Sequence, residues 1–325
     1  DGPSMAEDLG RRVLAALGAP VWIAGRELFP TASIGIAMWH PRYGSGEDML
    51  RDADAAMYRA KGEGRDRCML FDEQMRAQVV RALDLEADLR RAINADAFEP
   101  HFQPIVRMRD GAVVGHEALL RWRHETRGLL APDEFLDVGE DSGLIEQVDW
   151  LVYARVIACM ARGLDDGYVA INVSPRHFRA PGFGQRLLSL LDEAGVAPAR
   201  LRIEITEVAL LEDAPRVSRT LGLLRERGVL AQLDDFGTGF SALSYLHRFP
   251  IAALKIDRSF VSDLGGEARS ESLAVVRAII ALADSLGIEI IAEGVESEAQ
   301  RAHLLDLQCT YAQGFLYGRP ESLAR

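Results

Sequence analysis

A ladder of polar residues, each at the C-terminal end of a short apolar run, constrains this chain more than any other feature. Glu117 closes Val113-Val114-Gly115-His116, Asn172 closes Tyr168-Val169-Ala170-Ile171, and Glu204 follows Leu201-Arg202-Ile203. Asp234 and Asp235 end Val229-Leu230-Ala231-Gln232-Leu233, and Lys255 interrupts Ala253-Leu254 and Ile256. Glu293 follows the run from Ile288 to Ala292, and Gln313 follows Tyr311-Ala312. Helix-period segments near 143–163, 183–194, 209–227, 268–286 and 297–307 separate most of these runs. Their inward stripes are expected at Leu187, Leu188 and Leu191, and at Val275, Ile279 and Leu282. Alternation of this kind predicts an α/β fold with parallel strands. Closed on itself, it becomes a (β/α)8 TIM-like barrel, whose strand C-termini form one face where groups remote in sequence converge. The first strand, Phe98 to Met108, ends at a short Arg109-Asp110-Gly111 turn. So short a connection predicts that it pairs antiparallel with Val113 to Trp122, a departure from strict parallel winding.

A chain of 325 residues exceeds a barrel of about 250 residues and leaves room for a smaller N-terminal piece. The formal charge of −12 argues against general nucleic-acid binding, which depends on clustered Lys and Arg. A phosphorylated ligand would therefore be met by local cations or metals. Cys68, Cys159 and Cys309 make no C-x-x-C, which speaks against a disulfide framework or zinc site and for a reducing cytoplasm. The longest apolar stretch, Leu273 to Ala292, is interrupted by Arg277, Asp284 and Ser285, so it reads as helix followed by buried strand and not as a membrane span. The expected location is cytoplasmic, as a free protein or as the soluble part of a larger, membrane-tethered sensor.

Five carboxylates, Glu117, Glu204, Asp234, Asp235 and Glu293, would share the barrel mouth. Two like charges about 4 Å apart cost about 4 kcal/mol at an effective dielectric near 20, so the cluster needs cations or protonation. Oxygen ligands with one amide, Asn172, select Mg²⁺ or Mn²⁺ over zinc, and the seven histidines form no H-x-x-x-H pair. Two ions are expected, with Asp234 bridging and Asp235 beside it, an arrangement suited to in-line phosphodiester hydrolysis. Lys255 would add positive charge near the attacked phosphorus. A structural alternative makes Lys255 an ion-pair partner of Asp257 or Glu293. As a mouth residue facing solvent, Glu117 is expected to tolerate Glu117→Ala without loss of the fold while turnover disappears.

Seven ordered motifs over residues 97–325 resemble the EAL-domain family of cyclic di-GMP phosphodiesterases. They are Glu117-Ala118-Leu119 with Leu120-Arg121-Trp122, Asn172-Val173-Ser174-Pro175, Glu204-Ile205-Thr206-Glu207, Asp234-Asp235-Phe236-Gly237-Thr238-Gly239, Lys255-Ile256-Asp257, Glu293-Gly294-Val295-Glu296 and Gln313-Gly314. The resemblance implies hydrolysis of cyclic di-GMP to linear pGpG and a homodimer formed through the EAL domain. It implies that Glu117, Asn172, Glu204 and Asp234 hold one metal, and Asp234, Asp235 and Glu293 a second. Glu293 is also cast as general base, and Lys255 as a contact of the attacking water. Gln103, Leu119, Arg121, Asp235 and Gln313 would hold phosphate or guanine. The loop from Asp235 to Ser244 is similar to a metal-sensing loop, with Glu207 and Glu296 as its anchors, and Phe240 and Ala242 replace the usual Tyr and Ser. The alternative is a catalytically silent receptor that binds cyclic di-GMP and acts through protein partners. Such relatives usually lose one of the acidic motifs, and here all are present.

The N-terminal segment, 1–72, carries Ser33-Ile34-Gly35-Ile36-Ala37, Ala53 to Lys61 and Gly64-Arg65, which resemble the C-terminal half of a GGDEF (diguanylate cyclase) domain. It reads as helix, strand, strand, helix, strand, with Met5, Leu9, Val13 and Leu17 along one helical face. The Gly-Gly-Asp/Glu-Glu-Phe signature is not in the sequence, Gly265-Gly266-Glu267 being a barrel-loop decoy, so no cyclase site is expected. Arg51-Asp52-Ala53-Asp54 matches an inhibitory-site pattern by letters only. Residues 73–96 read as a linker helix, with Met75, Val79, Leu83, Leu89 and Ile93 near helical spacing.

Overall fold

The structure, a computed structural model, describes residues 2–23, 26–164, 167–237, 246, 248–265 and 269–322. Its contacts divide the chain into two compact units, Asp1–Asn94 with Asp133–Leu144, and Ala95–Pro132 with Ile145–Arg325.

In the first unit, helix α1 (Pro3–Leu17) precedes a hairpin of β1 (Val21–Ile23) and β2 (Arg26–Leu28), then β3 (Ser33–Ile36), α2 (Gly46–Gly62), β4 (Arg67–Leu70) and α3 (Glu73–Asn94). The hairpin adds one strand to the sequence-based order. β3 and β4 pair in parallel, and α2 lies so close to β3 that a Cβ on Gly35 would meet the Ala53 carbonyl oxygen at 1.8 Å. The Ser45 side chain caps α2 by accepting from the Asp48 N–H, as expected for an N-cap serine. Asp52, fully buried, accepts from Arg76 Nε at 2.9 Å and Tyr43 OH at 2.9 Å. That carboxylate therefore ties α2 to α3. The face Met5, Leu9, Val13 and Leu17 does form on α1, and in this unit it is exposed. On α3 the inward stripe is Met75, Leu85, Leu89 and Ala92, while Leu83 faces solvent. Helix α4 (Leu136–Asp141) belongs to this unit.

The second unit is the barrel. Its strands are β5 (Phe98–Arg107), β6 (Ala112–His124), β8 (Tyr168–Asn172), β9 (Leu201–Thr206), β10 (Leu230–Phe236), β11 (Ile251–Ile256), β12 (Glu289–Ala292) and β13 (Tyr311–Gln313). They neighbour one another in that order, and β5 closes the ring by pairing with both β6 and β13. Both β5 pairings are antiparallel and the others in the ring are parallel. The sequence expectation of an antiparallel first strand holds. A short extra strand, β7 (Gly128–Leu130), adds to the β6 edge.

Helices α5 (Ile145–Ala161), α6 (Pro175–Phe178), α7 (Phe183–Ala194), α8 (Glu207–Glu212) and α9 (Ala214–Glu226) alternate with the strands, followed by Arg258–Ser262, Arg269–Leu286 and Glu298–Asp306. The single helix expected over 209–227 is two, broken at Asp213. Pro215 lacks an N–H and cannot continue a helix from the preceding turn, and the Asp213 side chain caps the second helix at the Arg216 N–H. On α7, Leu187, Leu188 and Leu191 are buried as expected. On Arg269–Leu286 the buried stripe is Ser272, Val276, Ile279 and Ala283, about one residue rotated from Val275 and Leu282, which are half-buried. Gly239, Phe240, Ala242 and Ser244 of the loop after β10, and Gly266 and Glu267, lie outside the described residues. Among those described, no helix is long and apolar enough to cross a membrane.

Candidate active site

Strand register assembles the site. Gln103 on β5 lies opposite Glu117 on β6, Asn172 on β8 beside Glu204 on β9, and Glu204 beside Gln232 on β10. Alternation sends residues two apart to the same side of a strand, so these strands bring inward polar groups to one level; contrary to the sequence expectation Glu117 does not end its strand, because β6 (Ala112–His124) runs on past it paired with the antiparallel β5. Glu293 follows β12 directly, and its N–H donates to the Ile256 carbonyl at 3.1 Å, which extends the β11–β12 ladder by one step.

Adjacent residues on a regular strand face opposite ways, so Asp234 and Asp235 need a local device. Between Leu233 and Phe236 the β10–β11 register shifts: three steps along β10 match two along β11. Asp235 occupies the left-handed region with φ 54°, which Asp tolerates better than most residues. Its N–H donates to Asp234 Oδ1 at 3.0 Å. This bulge re-aims a side chain next to the site. Asp234, Asp235 and Glu293 consequently each offer a carboxylate oxygen, all within 4.8 Å of one another. An all-oxygen set of this kind suits a hard divalent cation.

Lys255, fully buried, is the hub. Its Nζ lies 2.6 Å from Glu204 Oε2, 2.6 Å from Glu293 Oε1, 3.2 Å from Glu117 Oε2 and 3.4 Å from Asp234 Oδ1. The structural alternative for Lys255 is met for Glu293; Asp257 instead caps the following helix at the Ser259 N–H. Around this hub, Gln313 Nε2 donates to Glu117 Oε2 at 2.6 Å and to Gln103 Oε1 at 2.9 Å, and Gln103 Nε2 donates to the Gly318 carbonyl at 3.0 Å. Asn172 Nδ2 donates to Glu117 Oε1 at 2.7 Å, which leaves its amide oxygen as the acceptor it can offer. Glu117 is 5% exposed. It is therefore a buried network residue, contrary to the expectation of a solvent-facing one, because the β5 and β13 glutamines close over it.

One ammonium does not balance five carboxylates. Burial acts to lower the Lys255 pKa, but Asp234, Glu117, Glu204 and Glu293 hold it well above the ordinary lysine value. Burial also works against ionised Glu117, yet Lys255 and the hydrogen bonds from Gln313 and Asn172 bring its carboxyl below the ordinary value. Glu204 is pushed well up by burial and by the charge of Glu117. Burial lifts Glu293 to about 8 despite Lys255, aided by Asp234 and Glu117. Asp235 is raised by burial and then by Asp234 and Asp257. Burial and mutual repulsion thus favour the protonated form of some of these carboxyls, the alternative to added cations.

Above this layer opens a cavity of about 320 Å³ lined by Gln103, Glu117, Leu119, Arg121, Asp234, Glu293 and Gln313 together with Arg258, Gly294, Glu296, Gly314, Phe315 and Pro320. Lys255 and Glu204 lie beneath it, and Asn172 and Asp235 join through Glu117 and Asp234. All the sequence-derived site residues are thus brought together. Arg121 Nη1 donates to the Leu120 carbonyl at 2.8 Å. Glu296, expected as a loop anchor, stands on the cavity wall. Arg258 and Phe315 were not singled out by sequence, although each directly follows a motif: Arg258 comes after Lys255-Ile256-Asp257 and Phe315 after Gln313-Gly314. Trp122 is buried against Phe98, and Trp150 packs with Tyr153 and under Arg186; both are packing residues.

Residues 86–320 match the EAL domain family, and residues 2–67 match the diguanylate cyclase, GGDEF domain family. The chain is 37% identical over 323 residues to a Pseudomonas aeruginosa protein named cyclic di-GMP phosphodiesterase NbdA, covering 98% of this chain and 41% of the relative. It is 38% identical over 322 residues to the bifunctional diguanylate cyclase/cyclic di-GMP phosphodiesterase MucR of the same organism, covering 98% of this chain and 47% of the relative. It thus spans less than half the length of either. Among solved structures, the PaMucR phosphodiesterase in complex with c-di-GMP superposes with a TM-score of 0.70 at 39% identity, covering 74% of this chain and 98% of that one.

Proposed function

Because the chain belongs to the EAL-domain family, we propose that it hydrolyses cyclic di-GMP to linear pGpG with the help of two Mg²⁺ or Mn²⁺ ions. The observation that carries this reading is the buried Lys255 hub, where carboxylates delivered by four different strands meet at 2.6 to 3.4 Å from one ammonium. Its excess of negative charge is what two divalent cations would cancel. The relatives named for cyclic di-GMP hydrolysis, and the PaMucR complex with that nucleotide, supply the substrate.

In this reading Glu117, Asn172, Glu204 and Asp234 would hold one ion, and Asp234, Asp235 and Glu293 would hold the other. When bound, such ions polarise a phosphoryl oxygen and lower the pKa of water. The residues themselves do the rest. Gln103, Gln313 and Arg121 on the cavity wall orient phosphate and guanine, with Leu119 as apolar contact and Asp235 at the edge. Lys255 places positive charge beside the site of attack, in a setting where water is excluded and its field is strong. Glu293 in its ionised form takes the proton of the attacking water. The water oxygen forms the new bond to phosphorus and the bond to the 3′ oxygen breaks; the departing oxygen takes a proton from solvent water, which leaves a 5′ phosphate and a free 3′ hydroxyl, as pGpG requires.

The test is incubation of the purified protein with cyclic di-GMP and Mg²⁺, with and without chelator, and chromatography of the product. Appearance of pGpG that stops on chelation is expected. Binding of cyclic di-GMP without any product would replace the enzyme by a receptor.

A further inference from the structure

Barrel interiors are ordinarily filled by layers of branched apolar side chains. Here an apolar cluster of Ile105, Ala253 and Ile291 is present, and a polar column runs beside it. Gln232, fully buried on β10, lies in register with Glu204 on β9. Arg202, two residues before Glu204, shares its face of β9. The Arg202 guanidinium packs 3.8 Å over the ring of Tyr168, and its Nη1 lies 2.8 Å from Glu289 Oε2. Arg202 offers only donors, so the Gln232 amide oxygen must face it and the amide nitrogen must face Glu204. Set that way, Gln232 Oε1 accepts from Arg202 Nη1 at 2.9 Å and Gln232 Nε2 donates to Glu204 Oε1 at 2.9 Å. The other Glu204 oxygen, Oε2, faces Lys255 at 2.6 Å.

We propose that Gln232 is a positioning residue for Glu204, with its own amide oriented by Arg202. Both Glu204 oxygens then have a fixed partner, one below and one at the hub, so the carboxylate plane is set before any cation arrives. Seven ordered motifs do not include Gln232 or Arg202, and the cavity does not touch them; their effect passes entirely through Glu204. The inference rests on the reading of Glu204 as a metal ligand, where hydrogen-bonded partners of a ligand tune its affinity for the ion.

Mn²⁺ itself is the probe, with uptake by the intact chain followed by electron paramagnetic resonance and thermal unfolding recorded in parallel. Gln232→Met, of similar volume and without hydrogen bonds, is expected to weaken Mn²⁺ binding about tenfold to a hundredfold while the folded protein persists. A purely structural role would lower the unfolding temperature and leave Mn²⁺ affinity of the folded protein unchanged, and that outcome overturns the proposal. Should Gln232→Met not fold, Arg202→Gln decides. A weaker Mn²⁺ affinity supports the column and an unaltered one overturns it. Failure of the unsubstituted protein to take up Mn²⁺ would strike the metal reading itself, a result distinct from equal uptake by variant and parent.

Discussion

Lys255 and Glu293, from neighbouring strands, meet at 2.6 Å between Nζ and Oε1. The Glu293 N–H bonded to the Ile256 carbonyl fixes their relative height, so the contact is built into the sheet ladder and not into a mobile loop. The same ammonium also serves Glu117, Glu204 and Asp234. Its removal leaves several buried carboxylates facing one another.

Lys255→Met should therefore cost about 3–5 kcal/mol of stability, the range for removing one partner of a buried ion pair. Urea unfolding of the metal-free protein measures it. Mn²⁺ should recover part of the loss by supplying the missing positive charge. Turnover should fall by about 100-fold or more. A metal-free variant as stable as the parent would mean that the carboxylates are already neutral.

Glu117→Ala should damage both fold and activity, because Lys255, Gln313 and Asn172 all donate to that carboxylate. Buried donors left unpaired cost about 1–3 kcal/mol. Glu117→Gln keeps the volume and should be the milder change in melting temperature while turnover is lost in both. Equal melting temperatures for Glu117→Ala and the parent would contradict the buried network.

Stability of the metal-free protein should decline with rising pH. The Glu293 carboxyl moves from its ordinary value of 4.5 to about 8 on folding, and Glu204 is raised in the same direction. A group raised in this way binds more protons in the folded state than in the unfolded one, so its contribution is complete below about 4.5 and vanishes as pH passes through about 8. Melting curves between these limits read the slope. Mn²⁺ should flatten it, and calorimetry in buffers of different ionisation enthalpy should show proton release on metal uptake below pH 8.

Gly314→Ala should disturb the site from its edge. A Cβ there would lie 2.2 Å from the Val295 carbonyl oxygen and 2.3 Å from the Val295 nitrogen, and backbone cannot yield as a flexible side chain can. Overpacking of this sort costs about 1–3 kcal/mol. Since Gln313 is the preceding residue, loss of cyclic di-GMP turnover should exceed what the drop in stability explains. Unchanged steady-state kinetics would show that β13 can shift without moving Gln313.

The order of apolar runs and helical periods was enough to read the barrel, its antiparallel first strand and most of the polar residues near strand ends, because these depend on local periodicity and on the length of one turn; Glu117 instead stands in the middle of β6. Finer placement was less legible. The Ser272–Val276–Ile279–Ala283 stripe differs by one position from the expected one, since several adjacent apolar residues on that helix leave its rotation open until it packs. Pro215 held a readable signal for the break between α8 and α9.

What sequence alone determined, then, is which polar side chains the strands carry to a shared rim, since alternation and chain direction dictate that. Only the tertiary structure decided how those side chains divide among themselves: that Glu117 is enclosed, that Lys255 serves four carboxylates, that a bulge brings Asp234 and Asp235 to one place, and that Gln232 reaches Glu204. These depend on register between strands that are remote in sequence. No local pattern encodes register across a closed barrel, because it is set by the simultaneous pairing of all eight strands.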